Sequence, residues 1–258
     1  MTDLHHVIDG PDDAPVLLLG PSLGTDVGLF DAQAAALADR YRVVRFDLRG
    51  HGGSPAAPGP YTIADLAGDV LALADRLGAD TFHYGGVSIG GAIGQWLGIH
   101  HGDRLGTLTI CASAARFADP DSWPARAATV REKGTEAMVA SRPGTWYTHD
   151  FAREQPAAAE RLLDMLRATD DESYAGCCEA IGAFDVRAEL GRIAVPTLVI
   201  AGADDPATPV ETVRAVADGI PGAEFVVVPH AAHLPTAERP DAVTDALRAH
   251  LDRHAAQV

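Results

Sequence analysis

Short apolar runs alternate with amphipathic stretches along the chain. Val16 to Leu19, Val43 to Phe46, Phe82 to Val87, Leu105 to Ile110, Leu198 to Ala201 and Phe225 to Val228 read as buried strands. Between most of them lie helical patterns. Ile63 to Leu77 repeats apolar residues at spacings of three and four, Val210 to Ala217 does the same after a Thr208-Pro209-Val210-Glu211 capping box, and Asp241 to Leu251 closes the chain. Such alternation predicts an α/β fold, a mostly parallel sheet covered by helices on both faces. In such sheets sites open at the carboxyl ends of the strands.

The pattern breaks between about Ala114 and Arg192. This stretch is helix-like, has no buried strand, and carries Trp123 and Trp146, two of the three tryptophans. It reads as a helical cap (114–192) inserted into a core made of residues 1–113 and 193–258.

One segment carries a chemical signal. FHYGGVSIGGAIGQWLG, Phe82 to Gly98, puts one serine among six glycines where a strand gives way to a helix. A glycine inside a helix costs about 1 kcal/mol against alanine, so Gly90, Gly94 and Gly98, four apart on one face, need a reason. Close packing of the helix on the sheet is one. The other is that Gly86-Val87-Ser88-Ile89-Gly90 fits G-x-S-x-G, a strained strand-to-helix turn that presents a nucleophilic serine. The two are compatible.

A serine hydroxyl needs a base to take its proton, and the base needs an orienting acid; in enzymes built on this turn the chain order is Ser, acid, His. His230 and His233 follow the last strand, and His233 is preferred because two alanines leave its ring room to swing. His250 and His254 ride on the closing helix, whose polar face accounts for them. The strand Leu198 to Ala201 ends in Gly202-Ala203-Asp204-Asp205, where Asp205 is the preferred acid and Asp204 its rival. An oxyanion hole needs the Ile89 N–H and a second donor from the loop after Val16 to Leu19, Leu23 or Ser22.

Bulk composition narrows the function. A chain of 258 residues, 47% hydrophobic, can bury a sizeable core as one α/β domain with an insertion. A formal charge of −16 with only 20 Lys and Arg argues against nucleic-acid binding, and an anionic substrate would need a local arginine. No apolar run is long enough for a membrane span, and MTDLHHVIDG lacks the regions of a signal peptide, so a cytoplasmic location is expected. Cys111, Cys177 and Cys178 lack zinc-type spacing and are expected to be reduced and buried; no metal or cofactor is predicted.

Taken together, GVSIGG, FDLRGHGGSP, AGADDPATP and AAHLPTAERP resemble the α/β-hydrolase superfamily. SLGTD, RGHGGSPAAPGPYTIADLAGDVLALAD, YAGCCEAI and IAVPTLVIAGADDPATP are similar to the 3-oxoadipate enol-lactonases of aromatic catabolism, and the resemblance runs from about Gly20 to Pro240. It implies an α/β-hydrolase fold, a nucleophile at Ser88, an acid at Asp205 and a general base at His233. It also implies a small anionic lactone as substrate, with Arg116, Arg126 or Arg142 to meet its carboxylate and Trp123 and Trp146 to wall the pocket. The chain departs from the family at Val87 and Ile89, where Leu and Met are common, and in GTWYTHDF, which lacks an arginine just before the tryptophan. Its short start predicts a missing or reduced first strand. The rivals are another esterase or lactonase, a hydrolase of carbon–carbon bonds, and a noncatalytic receptor on the same fold.

Overall fold

The computed structural model describes residues 1–254 of the chain. Seven strands form one sheet: β1 (His6–Asp9), β2 (Val16–Gly20), β3 (Arg42–Phe46), β4 (Phe82–Val87), β5 (Leu105–Cys111), β6 (Thr197–Gly202) and β7 (Glu224–Val228). Their order is β1-β3-β2-β4-β5-β6-β7, with β1 antiparallel to β3 and every other pairing parallel. All six strands expected from the apolar runs are present, but the last is not buried as expected: β7 is the other edge of the sheet, and of Phe225 to Val228 only Val228 is buried while Val227 is exposed. The reduced first strand is also there, as four partly buried edge residues, His6–Asp9. This edge strand buries little, and its sequence carries no apolar run.

Helices α1 (Asp31–Leu37), α2 (Ile63–Arg76) and α3 (Ile89–His100) precede β5. Five more lie between β5 and β6: α4 (Ser122–Lys133), α5 (Glu136–Val139), α6 (His149–Glu154), α7 (Pro156–Ala168) and α8 (Asp171–Ala183). The chain closes with α9 (Val210–Gly219), α10 (Pro235–Glu238) and α11 (Pro240–Arg253). Leu17, Leu18, Leu19, Val43, Val44, Ile110, Val199 and Ile200 are buried at the sheet centre, as both-face coverage requires. No helix among the described residues is long and apolar enough to cross a membrane.

The glycine stripe of α3 serves close packing. A Cβ on Gly90 would sit 2.3 Å from the Gly20 carbonyl oxygen at the end of β2, and one on Gly94 would sit 2.9 Å from Leu108 and Tyr84. The helix therefore lies directly on β2, β4 and β5.

Two local expectations are corrected. Thr208 does not cap α9: the residue before the helix is Pro209, with no side-chain cap, and the Thr208 hydroxyl donates instead to Asp205. A cap would use the hydroxyl oxygen as acceptor, but the helix starts at Val210, one residue too late for Thr208 to be its cap, and the hydroxyl proton goes to the charged carboxylate. His250 is not on the polar face of α11. It is fully buried, facing Glu224 through Nδ1 at 3.1 Å and the Pro196 carbonyl through Nε2 at 3.3 Å. All three cysteines are buried and free, and burial pushes their thiols up, away from reactivity.

Candidate active site

Ser88 stands between β4 and α3 with φ 58° and ψ −115°, a conformation that side chains other than glycine avoid. The turn is braced. The Ser88 N–H donates to the Cys111 carbonyl at 2.9 Å, and the Ser113 hydroxyl donates to the Ser88 carbonyl at 2.7 Å. Val87 and Ile89 on either side are fully buried, so only the serine side chain is left to face out.

Asp205 follows β6 and His233 follows β7. The Ser88 Oγ lies 3.0 Å from His233 Nε2, and His233 Nδ1 lies 2.8 Å from Asp205 Oδ2. All three side chains are buried. The two loops are tied together: Ala203 N–H donates to Val228 O and Asp204 N–H to Ala231 O, both at 2.9 Å. Here too a glycine allows close approach, since a Cβ on Gly202 would meet the Ala232 carbonyl at 2.2 Å.

Of the two acids and of the two loop histidines, the structure brings one each into line with the serine, while Ser22 and Leu23 both line the cavity. Asp204 is exposed, whereas Asp205 is buried and accepts from Ala207 N–H at 2.8 Å, Thr208 N–H at 3.0 Å and the Thr208 hydroxyl at 2.6 Å. Burial raises the Asp205 carboxyl, but the His233 ring and the Thr208 donors outweigh it and hold the group below its ordinary value. His230 is exposed at φ 55°. The line Ser88–His233–Asp205 can therefore carry a proton from hydroxyl to imidazole, with a fixed carboxylate behind it.

The serine opens on a cavity of about 170 Å³ that Ser22, Leu23, His233, Trp123, Trp146, Arg126, Arg142 and Tyr174 help to line. Neither the Leu23 nor the Ile89 N–H has a protein acceptor among the described residues. The loop bearing Leu23 is held from behind by His51, which donates through Nδ1 to Arg49 O at 2.8 Å and accepts at Nε2 from Gly24 N–H at 3.0 Å. Both partners need a neutral ring, and burial keeps it so by lowering its pKa.

Three residues that line the cavity each carry a buried polar atom without a partner. Arg142 is buried; one terminal nitrogen donates to Ser141 at 2.8 Å, but its Nε is unpaired, and no carboxylate lies within ion-pairing distance among the described residues. The Tyr174 hydroxyl and the Trp123 indole N–H are likewise buried without partners. Burial pulls Arg142 below its ordinary value, helped by the like charge of Arg126; an arginine nonetheless stays a cation. Burial pushes Tyr174 up to about 12, so it keeps its proton and is a donor. The two arginines lie over the two tryptophans, Arg126 at 4.4 Å from the Trp123 ring and Arg142 at 5.6 Å from the Trp146 ring. Arg116 is the exception among the expected arginines: it is exposed beside Asp185, and it does not line the cavity. Tyr174, inside the YAGCC segment, has no sequence signal of its own. Its role depends on helix α8 facing the cavity.

Residues 15–240 match the model of a family described as alpha/beta hydrolase fold. A 3-oxoadipate enol-lactonase of Acinetobacter baylyi is 37% identical over 250 residues, covering 97% of this chain and 93% of its own. The crystal structure of the enol-lactonase from Burkholderia xenovorans LB400 superposes with a TM-score of 0.95 at 40% identity, covering 97% of each chain. A putative carbamate hydrolase RutD of Variovorax paradoxus is 32% identical, covering 89% of each chain.

Proposed function

Since the chain belongs to the alpha/beta hydrolase fold family, we propose that it is a serine hydrolase that opens the lactone ring of a small substrate bearing a free carboxylate. The enol-lactonase relatives make 3-oxoadipate enol-lactone the specific candidate, and with it a place in aromatic catabolism in the cytoplasm. Residues 1–113 and 193–258 are the catalytic core in this proposal and residues 114–192 the cap. One observation supports it above the rest: the Ser88–His233–Asp205 line opens into the same cavity as a buried arginine without a counterion. A buried cation unpaired in the free protein is costly, and an anionic ligand offsets that cost.

In the proposed mechanism the Ser88 Oγ attacks the lactone carbonyl as His233 Nε2 takes its proton. Asp205 stabilises the imidazolium and fixes its tautomer. The oxyanion forms against the N–H groups of Ile89 and Leu23. Collapse breaks the ring C–O bond, His233 returns the proton to the enol oxygen, and the enol tautomerises to a ketone. Water, deprotonated by His233, then releases the acid from Ser88. Arg142, with Arg126 and the Tyr174 hydroxyl, holds the substrate carboxylate, while Trp123 and Trp146 flank the ring.

The test is a spectrophotometric comparison of freshly generated 3-oxoadipate enol-lactone with its methyl ester, neutral lactones, a carbamate and a simple aryl ester. The free carboxylate is expected to raise kcat/KM by about 100-fold over the methyl ester, the scale of charge-assisted hydrogen bonds. Equal rates for acid and methyl ester would remove the anionic substrate; a carbamate hydrolysed faster than any lactone would move the assignment toward the carbamate hydrolase relatives.

A further inference from the structure

Three consecutive backbone donors hold the loop that carries His233. His233 N–H donates to the Thr145 carbonyl at 3.3 Å, Leu234 N–H to the Trp146 carbonyl at 2.8 Å, and Ala232 N–H to the Glu238 carboxylate at 2.8 Å. The first two acceptors belong to the segment whose Trp146 ring walls the cavity. Glu238 reaches that same segment with its other oxygen, which accepts from the Thr148 N–H at 3.1 Å and from the Thr148 hydroxyl.

Glu238 is 3% exposed and has no Lys, Arg or His within ion-pairing distance among the described residues. Full burial of a glutamate without a cation is uncommon. What offsets it here is three donors drawn from two separate segments, so every contact it makes is spent on joining them. It does not line the cavity. The six residues between β7 and α10 form no helix or strand, and His230 among them sits at φ 55°. Asp205 and Ser88 orient the His233 ring, but the peptide behind the ring depends on these outer bonds.

We propose that Glu238 is a positioning residue: it fastens the His233 loop to the Thr145–Thr148 segment and so sets the aim of the imidazole at Ser88. The inference rests on the serine-hydrolase mechanism above. A histidine misplaced by about 1 Å is enough to cost on the order of 100-fold in rate. Glutamine at this position carries one acceptor oxygen and an NH2 group that faces N–H donors, so it can keep one segment at most.

The experiment compares Glu238→Gln with wild type in kcat, KM, thermal midpoint, the rate at which a fluorophosphonate labels Ser88, and affinity for 3-oxoadipate as a competitive ligand. Labelling needs an aligned His233, whereas ligand affinity needs only the cavity. The expected result is a loss of about 30-fold or more in kcat, an equal loss in labelling rate, and KM and ligand affinity within about 3-fold of wild type. A folded variant with wild-type kcat and labelling rate overturns the proposal, as does a loss confined to KM. If Glu238→Gln does not fold, Thr148→Val removes the hydroxyl from the same carboxylate and Thr148→Ser restores it. A several-fold fall in labelling rate with Val and recovery with Ser supports the role, and no difference between the two overturns it. Failure of the underlying mechanism looks different, since wild-type Ser88 would then not be labelled at all.

Discussion

Arg142 lies with its guanidinium carbon 5.6 Å from the ring centre of Trp146, buried and without a carboxylate partner among the described residues. The aromatic face attracts the cation without neutralising it. In a chain of formal charge −16, such a group is a local exception. Replacing it with Met is expected to have two opposite effects. Removing the unpaired charge raises the thermal midpoint by a few degrees, while kcat/KM for a carboxylate-bearing lactone falls by roughly 30- to 150-fold, about 2 to 3 kcal/mol. A variant that loses stability and keeps its preference for anionic substrates would assign Arg142 to packing.

The adjacent aspartates provide a second test. Asp205→Asn removes the carboxylate from His233 Nδ1 and offers an amide in its place, which favours the wrong imidazole tautomer. Its kcat is expected to fall by about 10³ to 10⁴-fold. Asp204→Asn, at an exposed position whose backbone N–H donates to the Ala231 carbonyl, is expected to stay within about 3-fold. The reverse ranking in steady-state rates would reassign the acid.

How far the sequence disclosed this site depends on what each residue needs. Ser88, Asp205 and His233 each follow a parallel strand with an apolar run and lie in short loops with local signals, a G-x-S-x-G turn, a Gly-Ala-Asp-Asp end and an Ala-Ala-His tip. Parallel strands bring such loops to one edge of the sheet whatever the intervening sequence. Arg142, Tyr174 and Glu238 carry no such signal. The first two matter because partners are missing, and Glu238 because it meets Thr148, 90 positions away. Pattern along a chain reports neither. The two corrected expectations differ in origin: His250 is taken by a tertiary partner, Glu224, 26 positions away, whereas Thr208 is held by Asp205, only three positions back in the same loop.

Two glycine substitutions should move stability in opposite directions. Gly90→Ala forces a Cβ to within 2.3 Å of the Gly20 carbonyl, and backbone on both sides must shift. It is expected to cost about 1 to 3 kcal/mol and, by displacing the start of the Ser22–Leu23 loop, to lower kcat more than it raises KM. Gly68→Ala in α2 meets nothing within 4 Å and should stabilise by about 1 kcal/mol through helix propensity. Urea unfolding of both variants checks the pair; equal and small changes would mean that α3 is not packed directly on β2.

Stability should fall on mild acidification. His83 is buried with Nδ1 2.9 Å from Thr107 Oγ1 and Nε2 unpartnered, and burial first, then the charges of His250 and His254, bring its pKa down to about 4. A base whose folded pKa is depressed is neutral in the fold, so the unfolded chain takes up the proton first. Its contribution is fully present above about pH 6.5 and is lost as pH falls from 6.5 toward 4, on the order of 3 kcal/mol in all. His51, also lowered by burial, adds a loss of the same sign below pH 6.5. Unfolding free energy measured from pH 7.5 to 4.5 should decline across this window, and His83→Gln should flatten the decline. A flat profile for the wild type would place both rings in contact with solvent.

The most direct measurement is the turnover of Ser88→Ala with 3-oxoadipate enol-lactone, alongside wild type and with binding of 3-oxoadipate measured on both. The expected result is a fall in kcat of at least about 10⁴-fold with ligand affinity within about 3-fold, because the hydroxyl that forms the acyl intermediate is gone while the arginine end of the cavity is intact. Turnover within about 10-fold of wild type would contradict a serine nucleophile.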